Sequence, residues 1–232
     1  PNGIDVNNLQ VDEMLTSSKG PYLAKDMEGG GRGSNAWVIS PEKSETGRPI
    51  LCNDTHLVLS MPGIWYMNHM KSNEGYHCTG STIPGFPGVL LGHNRNIGWG
   101  ITLAYTDVED IFVEKIDVSD PLKYEYCNEK KKFKNIKEII SIKGRSDHIE
   151  EVQQTIHGPL IGSVTKHSNQ TIALCSKSLQ PNTIIGGFFE INQADNWDKF
   201  SLGVKKIQAP QLNIVYSDIK GNIGMYVSGR VP

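Results

Sequence analysis

The sequence predicts an α+β fold, strand-rich and layered, with helices on at least one face. Apolar residues come mostly in short runs bounded by Gly, Pro, Asn and Asp, the punctuation of strands and tight turns. One stretch, Asp195 to Ile207, repeats apolar residues at helical intervals. The 232 residues suffice for one sizeable core, and neither an internal repeat nor a compositional shift marks a second domain.

Residues 1–33 are rich in Gly, Asn, Asp, Ser and Lys and read as a leader or spacer, mostly loop, with room for a short amphipathic turn around Val11–Leu15. Residues 34–232 then form the strand-rich domain. Ser34–Ser40 and Pro49–Cys52 read as strands joined by a polar turn, and Asn53–Leu57 is expected to break the second of them. Trp65–Met70 and Tyr76–Gly80 are the next strands. Pro84-Gly85-Phe86-Pro87-Gly88 cannot join a ladder, because proline lacks the N–H that pairing needs. Val89–Asn94, Ile97–Leu103 and Ile111–Ile116 follow as strands, the last preceded by an acidic segment, Asp107–Asp110. Tyr124–Cys127 is expected to pair with Phe133–Ile136, and Leu160–Val164 and Thr171–Cys175 continue the pattern. Trp197, Phe200, Val204 and Ile207 share a helix face, which Asp195 or Asn196 caps and Pro210 stops. Gln211–Val215 and Met225–Val227 close as a hairpin around Asp218–Asn222.

A formal charge of −2 and a pI near 6.4 give no electrostatic reason to expect nucleic acid or an anionic membrane as partner. No apolar run reaches bilayer-spanning length. The first residues lack a signal peptide's basic and apolar regions and do not begin with Met, so the chain reads as an excised piece of a longer protein. Cys52, Cys78, Cys127 and Cys175 are irregularly spaced without a C-x-x-C pair, and read as small buried hydrophobes rather than a metal or dithiol site. The sequons at Asn53 and Asn169 are short enough to arise by chance, and the compartment stays open. No serine lies in G-x-S-x-G, no P-loop is present and no histidines form an H-E-x-x-H pair. The run Glu129–Lys134 reads as a solvated hairpin, and Asp107/Glu109/Asp110 as either a solvated loop or a calcium site, the loop being commoner.

The chain changes character at Gly29-Gly30-Gly31-Arg32-Gly33-Ser34, where a glycine tract meets a serine that opens a strand. Read locally, a flexible linker is the commoner explanation. The alternative is a self-cleavage junction in which Ser34 attacks the carbonyl of Gly33.

Four further blocks bear on that choice: Gly33-Ser34-Asn35-Ala36-Trp37-Val38-Ile39-Ser40, Asn53-Asp54-Thr55-His56-Leu57, Pro84–Gly88, and Gly92-His93-Asn94-Arg95-Asn96-Ile97-Gly98-Trp99-Gly100. With Asp107–Phe112, His157-Gly158-Pro159, Asn196-Trp197-Asp198 and Asn213–Asp218, and in this order, they resemble the penicillin acylases, which are N-terminal-nucleophile (Ntn) hydrolases. The resemblance implies an αββα four-layer sandwich, present here as part of a longer chain. It also implies cleavage at Gly33-Ser34 by the chain itself, from an inactive zymogen, after which the α-amino group of Ser34 is the base for its own hydroxyl. The chemistry is sound, since an α-amino group titrates near ~8 and can be neutral at working pH.

By the same resemblance, His56 helps to hold the new amino terminus, the backbone N–H of Leu103 supplies one oxyanion donor, and the side-chain amide of Asn213 supplies the other. Asp107, Glu109 and Asp110 match a structural calcium site, Glu109 through its carbonyl, with a further acidic ligand from the upstream chain. No cofactor is implied for the chemistry. Substrates would be penicillin-like or other N-acyl amides, the upstream and downstream parts of the chain would complete the pocket, and the setting would be secreted or periplasmic. A non-catalytic, strand-rich binding module or an unprocessed precursor is the competing expectation.

Overall fold

The computed structural model describes residues 33–57, 60–161 and 171–231. The expected leader, with its turn at Val11–Leu15, lies outside the described residues except for Gly33, as do Asn169 and the end of the Leu160–Val164 run. The chain divides into two compact units, one containing residues 33–108 and 177–231, the other 109–161 and 171–176. Composition alone suggests no such division, because the smaller unit is built from the same short strands and turns as its surroundings.

The larger unit begins with a hairpin, β1 (Gly33–Ile39) and β2 (Ile50–His56), paired from Gly33↔His56 to Ile39↔Ile50. A six-stranded antiparallel sheet follows, made of β3 (Tyr66–Lys71), β4 (His77–Thr82), β5 (Leu91–His93), β6 (Ile97–Leu103), β14 (Leu212–Asp218) and β15 (Ile223–Val227). Its order is β15-β14-β6-β5-β4-β3. Helices α1 (Ile184–Gln193) and α2 (Trp197–Lys206) pack on one face, where Phe188, Ile191, Phe200, Val204 and Ile207 meet Cys78, Ile97, Trp99, Ile214 and Tyr216. Alternation along β6 turns Trp99 toward the helices and Gly100 toward the hairpin, since a Cβ on Gly100 would lie 2.8 Å from Asn53 Cβ. Helices, sheet and hairpin thus make up an α, β, β stack, three layers of the expected four. A second helical layer is not among the described residues.

The smaller unit is all antiparallel. It holds β7 (Glu109–Glu114) paired with β13 (Thr171–Ser176), a three-stranded sheet of β8 (Ile116–Asp117), β9 (Asp120–Tyr126) and β10 (Glu129–Lys132), and the hairpin β11 (Lys134–Ile140) with β12 (His148–Gln154). Its interior includes Tyr124 and Phe133 at 5.1 Å and a buried Glu114 bonded to His157 at 2.8 Å, the imidazole stacked on Phe112 at 3.9 Å.

Several expectations are corrected. The strand at Pro49–Cys52 does not break at Asn53 but runs on to His56. Val89 and Leu90 are buried outside the short β5. Glu109 and Asp110 open β7 instead of preceding it. Tyr124 pairs with Lys131, not with Phe133–Ile136, because Cys127 and Asn128 both take positive φ and close a two-residue turn. The Glu129–Lys132 run is therefore a strand, solvated as expected. Lys131 lies 4.3 Å over the Tyr126 ring. Cys127, at that turn, is exposed rather than buried. A second helix, α1, joins the one predicted.

Candidate active site

Ser34 is the second residue of β1, paired with Thr55, and its Oγ donates to the carbonyl oxygen of Gly33 at 2.8 Å. Strand alternation sorts the hairpin into two faces. Ser34 and Ala36 share a face with Asn53 and Thr55, and Asn53 bonds Ile101 of β6, so this face meets the sheet. Gly33, Asn35, Asp54 and His56 lie on the other face. There the Nε2 of His56 is 2.7 Å from Asp54 Oδ2 and 3.4 Å from Asn35 Nδ2. Its Nδ1 sits 3.6 Å from where a Cβ of Gly33 would be, so the imidazole flanks the residue before Ser34.

Asn213 pairs with Thr102 across β14 and β6, on the face of the sheet that Gly100 also presents to the hairpin. Its Nδ2 donates to Thr102 Oγ1 at 3.1 Å and to the carbonyl oxygen of Leu103 at 3.3 Å. Leu103 ends β6, opposite Leu212. Ser34 and Asn213 therefore project from facing surfaces of adjacent layers. That arrangement suits a reaction between a nucleophile and a carbonyl whose developing negative charge needs donors on the far side.

The hairpin face is also wired by residues that sequence reasoning treated as a strand break. Thr55 Oγ1 accepts from Trp65 Nε1 at 2.9 Å, and the amide of Asn53 makes three hydrogen bonds of 3.0 Å or shorter. The amide of the sequon at Asn53 is thus engaged in hydrogen bonds within the fold; the signal available was its polarity inside an otherwise strand-like run. A cavity of about 790 Å³ runs along the hairpin, lined by Arg48, Leu51, Asn53, Leu91, Arg95 and Asp218 among others, with Ser34, His56 and Asn213 absent from its wall.

Asp107, Glu109 and Asp110 are all exposed. The carboxylate of Glu109 accepts from Ser176 Oγ at 2.7 Å. Among the described residues no group of three or more His, Cys, Asp or Glu is arranged to hold a metal. No helix among the described residues is long and apolar enough to cross a membrane.

Residues 4–232 match the penicillin amidase family. The chain belongs to that family. It is 33% identical over 211 residues to the acyl-homoserine lactone acylase QuiP of Pseudomonas aeruginosa, covering 86% of this chain and 25% of the relative. It is 28% identical to the penicillin acylase 2 proenzyme of Pseudomonas sp. strain SE83, over 100% of this chain and 30% of the relative. Among solved structures, a thermostable penicillin G acylase from Alcaligenes faecalis superposes with a TM-score of 0.69 at 25% identity, covering 84% of this chain and 35% of that one. The chain thus spans about a quarter to a third of the length of these members of the penicillin amidase family.

Proposed function

We propose that this chain carries the nucleophile of an acylase that hydrolyses N-acyl amides and that matures by cutting itself between Gly33 and Ser34. The observation that carries the reading is the position of Ser34, second in β1 on the face turned to the Asn213-bearing sheet, with its hydroxyl on the Gly33 carbonyl. In the first reaction the Oγ of Ser34 bonds to the Gly33 carbonyl carbon and the C–N bond breaks. The departing nitrogen takes up the hydroxyl proton, and water then hydrolyses the resulting ester to a Gly33 carboxylate and a free serine.

The freed α-amino group titrates near ~8 and so accepts the hydroxyl proton at working pH, directly or through one water. The Ser34 oxygen then attacks the acyl carbon of substrate, and the amine leaves with the proton. Water releases the acid in a second cycle of the same steps. A developing oxyanion is a stronger acceptor than the neutral oxygens of Thr102 and Leu103 that hold the Asn213 amide, so one of its hydrogens turns to the oxyanion as charge builds. His56, held by Asp54 beside Gly33, steadies the new terminus. Substrates are drawn from penicillin-like amides, acyl-homoserine lactones and other N-acyl amines, in line with the names of the relatives.

The test is intact mass spectrometry of the full-length gene product during incubation. A break between Gly33 and Ser34, absent in Ser34→Ala, together with release of amine from an N-acyl amide panel by the cut form alone, is the expected result. A full-length chain that stays whole, or cleaves equally with alanine at 34, overturns the proposal.

A further inference from the structure

We infer that Asn53 is a positioning residue, whose amide ties the strand bearing Ser34 to the strand that ends at Leu103 and so sets the separation of nucleophile and oxyanion donors. The inference rests on the reading of Ser34 given above.

The reason lies in an incomplete ladder. β5 pairs with β6 only at Gly98 and Trp99, so Ile101 has no strand neighbour on that side. Asn53 fills the place of one. Its Oδ1 accepts from the Ile101 N–H at 2.9 Å, and its Nδ2 donates to the Ile101 carbonyl at 3.0 Å, the two bonds an adjacent strand would exchange with that residue. The second hydrogen of the same Nδ2 goes to the carbonyl of Asn35, the residue after Ser34, at 2.9 Å. One planar amide thus joins a backbone carbonyl next to the nucleophile to a residue two positions before Leu103. Apolar contact would hold the two layers together but allow them to slide, whereas the two directional bonds to Ile101 set their register, and the third, to Asn35, fixes the amide against β1.

Gly100 reserves the space. A Cβ there would sit 2.8 Å from Asn53 Cβ and 3.0 Å from its Cγ, so the approach that makes the tie exists because residue 100 has no side chain. The position uses one acceptor and two donors carried on one short planar group. Asp retains the acceptor for the Ile101 N–H but turns an oxygen onto two carbonyl oxygens, and Ala leaves all three backbone groups without this partner.

The test compares the full-length gene product with its Ser34→Ala, Asn53→Ala, Asn53→Asp and Asn192→Ala variants. Asn192 is the matched control, since its side chain makes three comparable bonds, to the Val89 N–H and carbonyl and to the Tyr76 hydroxyl, away from β1 and β6. Folding is followed by circular dichroism, cleavage at Gly33-Ser34 by intact mass, and kcat and KM with a chromogenic N-acyl anilide. Both Asn53 variants are expected to fold, to cleave at least tenfold more slowly, and, once cut, to lose at least tenfold in kcat with KM within about twofold of the parent. Asn192→Ala, though less heat-stable, should cleave and turn over at the parental rate.

Asn53→Asp cleaving and turning over like the parent overturns the inference. So does a slowing in Asn192→Ala that matches the Asn53 variants, or failure of both Asn53 variants to fold, either of which makes the role structural. A parent that is never cut, and behaves as Ser34→Ala does, removes the Ser34 reading itself and the inference with it. A parent that is cut, beside an uncut Ser34→Ala and a normal Asn53→Asp, removes the inference alone.

Discussion

Asn213 is one side chain whose two amide hydrogens are both already engaged, by Thr102 and by the Leu103 carbonyl. Deleting it leaves acceptors on a partly exposed surface, which water satisfies cheaply, so the effect on folding should be small. On the role proposed above, the effect on turnover should be large, because a donor aimed at an oxyanion typically contributes on the order of 10²–10³ in kcat. Asn213→Ala in the full-length product is therefore expected to retain its melting temperature within a few degrees while losing about that factor in kcat, measured side by side.

Asp218 shows the opposite balance. Its burial would raise its pKa, but the Asn222 side chain and backbone, the Tyr216 hydroxyl and the Lys220 N–H all donate to the carboxylate and together hold it below the ordinary aspartate range. A lowered folded-state pKa contributes stability that is fully present above the unfolded value of about 3.9 and is lost as pH falls through the folded value. Asp218→Asn is expected to unfold at lower denaturant concentration at neutral pH than the parent. Its further loss of stability on acidification below about pH 4 should be shallower, as chemical melts at several pH values will show.

At the scale of elements, the two helices meet through glycines. A Cβ on Gly187 would lie 2.8 Å from the Gly203 carbonyl oxygen, and one on Gly203 would lie 2.9 Å from that of Gly187, so α1 and α2 approach backbone to backbone. Gly203→Ala gains helix propensity, by up to ~1 kcal/mol, but forces that backbone contact apart, and overpacking typically costs about 1–3 kcal/mol. A net loss of stability in urea is expected, and a gain would mean the helices separate easily.

Gly187 and its neighbour Gly186 explain why α1 was hard to read. Ile184, Phe188 and Ile191 stand at helical spacing, but Gly186-Gly187 argues locally against a helix, and Thr183 caps nothing with its side chain, bonding Lys206 instead. α2 was legible because its signals are local: Asn196 accepts from the Lys199 N–H at 3.0 Å, and its apolar stripe is regular. β2 lies between these cases. Its first half has strand character, whereas Asn53, Asp54 and Thr55 belong to the strand only because β1 and β6 supply their partners.

For the whole molecule, the larger unit depends on one apolar layer between helices and sheet. Phe188 is fully buried in it and stacks edge-on against Phe86, with ring centroids 5.7 Å apart. Phe188→Ala should cost about 3–5 kcal/mol, enough to unfold a marginal domain, measured as a shift of the denaturant midpoint at unchanged slope. The chain is also a fraction of its relatives' length, so activity and stability are both to be measured on the full-length product.

Composition, turn punctuation and the order of short motifs were enough to establish the strand-rich α+β class, most strand positions and membership of the penicillin amidase family, because those signals sit within a few residues of one another. Tertiary structure alone decided that β2 continues through Asn53, that α1 forms over two glycines, that residues 109–161 and 171–176 make a unit of their own, and that Ser34 and Asn213 lie on the hairpin and sheet surfaces that meet. Each depends on a partner far away in sequence, such as Ile101 for Asn53 or Gly203 for Gly187, and the stabilisation that such a partner supplies cannot be read from the neighbours of either residue.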